Sequence, residues 1–172
     1  MNLIAALLAL ALTGAEPVTP DEAPDDLAAP VSLAEMETLL RIQPGAVELA
    51  WTQLARGGLP RIEPIEGDAR QSRVTFLYKA AGDVTGVRLN SVINAPRVTM
   101  PVEDFVRDFT LPLSRLGDST IWALSLEVPR DVVASYSFLV TRPNGTERIS
   151  DRHNPRHLRG SNAEAILILD QA

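Results

Sequence analysis

"RVTFLYKA", residues 73–80, decides the fold. Val74, Phe76 and Tyr78 alternate with Arg73, Thr75, Leu77 and Lys79, the period of two that arises when successive side chains point to opposite faces of a strand. The same rhythm returns downstream in "GVRLNSV" (86–92), "DFTLPLSRL" (108–116), "TIWALSLEV" (120–128), "ASYSFLVT" (134–141), "TERIS" (146–150) and "AEAILILD" (163–170). Trp122, Leu124, Leu126 and Val128 form one inward face; Tyr136, Phe138 and Val140 form another. Turn signals stand at Gly82-Asp83 and Pro143-Asn144-Gly145, and Pro112 marks its strand as an edge or bent one. About seven short strands at this spacing predict an all-β sandwich.

Toward the N terminus the period changes. Ser32 and Glu35 match a capping box ahead of Leu39, Leu40 and Ile42, and Pro44-Gly45 break the helix they open. Val47, Leu49, Ala50, Trp51 and Leu54 then recur at helical spacing, so a second helix is expected from Ala46 to Arg56, with Trp51 as a packing anchor. "MNLIAALLALALTGA" (1–15) reads as an export signal. Its apolar run, Leu3 to Leu12, is too short to span a bilayer, and Thr13 and Ala15 put small residues before the cleavage point. "EPVTPDEAPDDLAAP" (16–30) is acidic and rich in Pro and Ala, the composition of a solvated tether. The expected organisation is a signal peptide at 1–15, a linker at 16–31, a helical lead at 32–57 and a sandwich at 58–172. Such a chain is exported, in the periplasm, with no stable membrane span.

Several chemistries are excluded by composition and motif. A net charge of -6 argues against a general nucleic-acid surface. The absence of cysteine removes disulfides, thiol catalysis and cysteine-ligated metals. There is no G-x-S-x-G elbow, and the single lysine, Lys79, sits in neither an S-x-x-K nor a phosphate-binding motif. Asp151, His153 and His157 in "DRHNPRH" (151–157) are metal-ligand types. However, Pro155 pushes Asn154 out of helical geometry, and a helical face is what the i,i+4 histidines would need. The stretch therefore reads as a turn, and neither a metal nor another cofactor is expected.

The order of these pieces resembles one family. "VTFLYKA", "GVRLNS", "SRLGDSTIWALSLEVPRDVVASYSF" and "DRHNPR" are similar to the N-terminal domain of enterochelin (ferric enterobactin) esterases. Arg115, Leu116, Trp122, Pro129, Asp131, Tyr136, Phe138, Asp151, Asn154 and Pro155 fall at matching positions, and the likeness covers roughly residues 46 to 170. The resemblance implies an immunoglobulin-like, early-set sandwich. It makes "DRHNPRH" the family's D-P-x-N-P turn, with Asp151 and Asn154 folded back on backbone amides. The chain departs from the pattern at Val133, where an arginine is expected, and at Arg152, where a proline is usual. In the family an α/β-hydrolase domain carries the Ser-His-Asp machinery. No such motif occurs in these residues, so the expected role is non-catalytic.

The resemblance points to handling of a ferric catecholate siderophore. Such a complex is triply anionic with flat aromatic faces, and Arg88, Arg97 and Arg115 are the candidate ligands, whereas alternation assigns Trp122 to the core. Two other readings stay open. A glycan-binding module would need exposed tryptophans, and the chain has only Trp51 and Trp122. A purely structural domain paired with a separately encoded α/β-hydrolase would show an exposed apolar patch, unless the helical lead covers it.

Overall fold

A computed structural model describes residues 32–94, 109–158 and 164–169. The signal at 1–15, the linker at 16–31 and Arg97 lie outside the described residues. Two helices lead, α1 (Leu33–Ile42) and α2 (Val47–Ala55), joined by a 3-10 turn at Pro44–Ala46. Among the described residues nine strands follow: β1 (Arg61–Ile65), β2 (Asp68–Lys79), β3 (Gly86–Ser91), β4 (Thr110–Pro112), β5 (Ser114–Arg115), β6 (Ile121–Pro129), β7 (Val133–Arg142), β8 (Gly145–Ile149) and β9 (Ala165–Ile168). They form two antiparallel sheets. The first has the order β1-β2-β6-β5; the second runs β4-β3-β7-β8, with β9 beside β8 on β7. The expected sandwich with a short helical lead is the fold observed.

Alternation builds the core between the sheets. Val74, Phe76 and Tyr78 on β2 stand opposite Leu126, Leu124 and Trp122 on β6. Val87 and Leu89 on β3 stand opposite Val140 and Phe138 on β7. These two inner faces make one cluster with Leu167 and Leu169. The outer face of the first sheet changes character along its length. At one end Leu77, Ala123 and Ile121 are buried under Met36, Leu39, Leu40, Ala50, Trp51 and Leu54 of the helices. Midway, Thr75 and Ser125 share a 2.8 Å hydrogen bond, and at the far end Arg73 and Glu127 face solvent 3.6 Å apart. The helices thus cover the stretch where the outward residues are apolar, as the hydrophobic effect requires. The lead is fixed by its capping box, in which the Ser32 hydroxyl accepts from the Glu35 N–H while Glu35 accepts from the Ser32 N–H.

Two features differ from the sequence reading. "RIEPI", to which the sequence reading assigned no strand, forms the edge strand β1 with Ile62 and Pro64 on its exposed face. "DFTLPLSRL" holds two strands, because the chain changes sheets at buried Leu113: β4 pairs β3, whereas β5 pairs β6. Pro112, without an N–H, stands where the chain leaves the ladder.

Candidate functional site

The predicted arginines occupy different sheets. Arg88 lies within β3, on the outer face between Pro112 of β4 and Leu139 of β7. Its guanidinium donates to the Thr110 hydroxyl at 2.5 Å and to the Thr110 carbonyl at 3.3 Å. Arg115 lies on β5 opposite Trp122, with its guanidinium 4.9 Å from the centre of that ring. It also donates to the Val84 carbonyl at 3.1 Å, which ties the edge of the first sheet to the loop before β3. Trp122 is buried in the inter-sheet core, and its Nε1 has no hydrogen-bond partner. Arg115 thus caps the open edge of the sandwich with a cation–π contact.

"DRHNPRH" is a turn built around a buried polar triad. The Tyr136 hydroxyl, deep in the core on β7, donates to Asp151 Oδ2 at 2.7 Å and accepts from Asn154 Nδ2 at 3.0 Å. Asp151 Oδ1 accepts from the His153 N–H, and Asn154 Oδ1 from the Arg156 N–H, giving the two Asx turns expected. Asn154 also donates to the Ile166 carbonyl, fastening the turn to β9. Burial pushes the Tyr136 hydroxyl far above the ordinary phenol range, and the neighbouring Asp151 adds to the effect. The histidines are engaged separately: His153 packs edge-on against Trp51 of α2 at 5.1 Å, and His157 Nδ1 meets the Ser150 hydroxyl at 3.2 Å.

Above this turn opens a cleft of about 380 Å³. Its cause is register. β1 begins at Arg61 opposite Thr75, so Phe76 to Lys79 of β2 are paired only with β6. The opening is closed by the turn, β8 and α2. Leu77, Phe138 and Asp151, all buried, form the floor; Trp51, Tyr78, Lys79, Glu147, Ile149, Arg152 and His153 contribute the rest of the lining. Tyr78 leans on Phe138 at 5.3 Å, and Lys79 is held by Glu48 of α2 at 2.5 Å. Burial raises the Tyr78 hydroxyl above its usual pKa, while Arg142 and Arg152 pull it down and Glu147 pushes it up. Arg152 and Glu147 are exposed, and their side chains form no hydrogen bond or ion pair among the described residues. Sequence reasoning found none of these residues as a site. The one visible sign was Arg152 at a position where the resembled pattern has proline.

A second opening, about 220 Å³, runs along the seam between β1 and β9 and is lined by Leu59, Pro60, Ile62, Pro155, Ile166 and Ile168. Ile62 and, beside the seam on β7, Val133 are among the exposed large apolar residues.

No protein-family profile matches the chain. It is 27% identical over 141 residues to the iron(III) salmochelin esterase of Escherichia coli O6:H1, covering 71% of this chain and 32% of that protein. It is 33% identical over 93 residues to the iron(III) enterobactin esterase of Yersinia enterocolitica, covering 52% of this chain and 24% of that one. The chain therefore spans a third or less of the length of these curated relatives. Among solved structures, the enterobactin esterase of Shigella flexneri superposes with a TM-score of 0.51 at 17% identity, over 72% of this chain and 35% of that one. The ferric enterobactin esterase of Salmonella typhimurium gives 0.51 at 17% identity, over 72% and 37%. At that identity the structures speak for the fold alone. The chain is thus similar in sequence to the iron(III) salmochelin and enterobactin esterases over about a third or less of their length, and it shares a fold with part of the solved enterobactin esterases.

Proposed function

We propose that this chain is an exported, non-catalytic domain of iron acquisition that binds a ferric catecholate siderophore. The observation that supports the reading is the relationship itself. Both curated relatives are named as esterases of such complexes, and they match 71% and 52% of this chain. The apolar leader supports export, and the lack of a nucleophile elbow supports binding without hydrolysis. The test is calorimetric titration of the chain with ferric enterobactin and, separately, with maltoheptaose. Saturable binding of the ferric complex supports the reading; binding of the sugar alone replaces it with a glycan module. Both tryptophans are buried, which disfavours a sugar-stacking platform. Export is tested by fractionation and N-terminal sequencing, with cleavage after Ala15 expected.

A second reading is docking onto a separately encoded esterase. The apolar seam between β1 and β9 favours it, because two strand edges flank Ile62 and Ile168 there. Silence toward both ligands, with capture of a partner esterase that Ile62→Glu abolishes, would establish that reading.

A further inference from the structure

We propose that the cleft between α2, the end of β2, β8 and the Asp151–Asn154 turn is a binding site for one flat aromatic ring bearing an anionic group and an O–H or N–H donor. Three observations converge on that chemistry. First, four rings line the cavity as two packed pairs, His153 edge-on to Trp51 and Tyr78 tilted against Phe138. Aromatic surfaces fixed in this way lose little freedom when another ring packs on them. Second, the cavity holds one guanidinium and one carboxylate, Arg152 and Glu147, whose side chains have no hydrogen-bond or ion-pair partner among the described residues. Arg152 suits a carboxylate or phenolate on the ring, and Glu147 suits a hydrogen-bond donor elsewhere on it. Lys79 contributes less charge, because Glu48 already holds its ammonium. Third, Tyr78 lines the cavity and its hydroxyl forms no hydrogen bond among the described residues. A phenol is protonated at neutral pH, so this hydroxyl can donate to an anion.

Size selects among ligands. About 380 Å³ lies near the small end of the range for small-molecule sites, enough for one substituted ring and too little for a tris-catecholate complex. The ring is then either one arm of a bound siderophore or a free aromatic acid. The inference rests on the siderophore reading only for that source.

The probe is 2,3-dihydroxy-N-benzoyl-glycine, which carries a ring, phenolic hydroxyls, an amide N–H and a carboxylate. Calorimetry on the full chain is expected to give saturable binding with a dissociation constant of about 1 mM or tighter. Arg152→Ala should weaken it about tenfold, the effect of losing one charged hydrogen bond, and Tyr78→Phe several-fold. The methyl ester of the probe should bind more weakly to the wild type and be indifferent to Arg152→Ala. Neither substituted side chain has a hydrogen-bond or salt-bridge partner among the described residues, so unchanged melting temperatures are expected. No saturation by about 10 mM overturns the proposal. So does equal loss of acid and ester binding in Arg152→Ala, which would make Arg152 structural. Competition between the probe and ferric enterobactin identifies the ring as a siderophore arm; probe binding without binding of the ferric complex identifies a free acid and removes the siderophore reading alone. Conversely, ferric enterobactin binding untouched by both substitutions and by the probe keeps that reading and removes the cleft.

Discussion

Tyr136→Phe isolates the hydroxyl around which the last turn is organised. The two side chains have nearly the same volume, so the substitution opens no cavity in a core where Tyr136 is 1% exposed. What it removes is one donor and one acceptor. Asp151, itself buried, loses the 2.7 Å hydrogen bond from the hydroxyl, and Asn154 loses one of its two acceptors while keeping the Ile166 carbonyl. A hydrogen bond to a charged group contributes about 1.5–3 kcal/mol and a neutral one about 0.5–1.5 kcal/mol. Allowing for the easier burial of a phenyl ring, the net loss should be about 2–3 kcal/mol, or roughly 5–10 °C in melting temperature. Urea unfolding followed by tryptophan fluorescence and far-UV circular dichroism measures it. The Asx turns keep their backbone bonds, so the native dichroism should not change. A loss below about 0.5 kcal/mol would refute the argument, because the triad would then contribute nothing beyond its solvated alternative. Asp151→Asn, which keeps an oxygen for the His153 N–H, should cost less than Asp151→Ala.

Arg115→Ala removes the carbonyl bond to Val84 and the contact over Trp122; we expect about 1 kcal/mol of destabilisation in the same urea assay and unchanged affinity for the aromatic probe. Ser32→Ala dismantles the capping box and should cost about 1 kcal/mol, with protection lost first at the α1 amides in hydrogen exchange; uniform loss across the sandwich would contradict it. Stability should fall as pH rises above about 10, because the unfolded phenols ionise there while burial holds Tyr136 and Tyr78 protonated in the folded protein. The native state then binds more protons than the unfolded one, and the slope approaches about 1.4 kcal/mol per pH unit for each fully shifted group. Phenolate absorbance appearing in the native protein at its ordinary pKa would contradict that prediction.

Local rules made the inner faces, the capping box and the two Asx turns legible, because each depends on residues close in sequence. Trp51 was readable as a packing residue for the same reason: helical spacing alone aims it at whatever the helix covers. What remained hidden is relational. That β1 stops opposite Thr75 follows from pairing across strands, and it leaves the end of β2 that lines the cleft without a partner on that edge. The split of "DFTLPLSRL" between sheets was half visible in Pro112, but nothing local says which neighbour each half will choose. Arg88 and Arg115 shared a chemistry in the sequence without sharing a place in the fold.

The position of β7 has a consequence for how the protein is made. One of its edges is divided, with Phe138 to Arg142 pairing β8 and Val133 to Tyr136 pairing β9. The first partner emerges from the ribosome within a hairpin and is available at once. The second emerges only after the whole "DRHNPRH" turn and the segment beyond it. Until then half of the central strand lacks its neighbour, and the Asn154 amide lacks the Ile166 carbonyl that anchors it. The nascent domain therefore passes through a stage with a complete hairpin and an open sheet edge, the state in which a chaperone or an unwanted strand finds its opportunity.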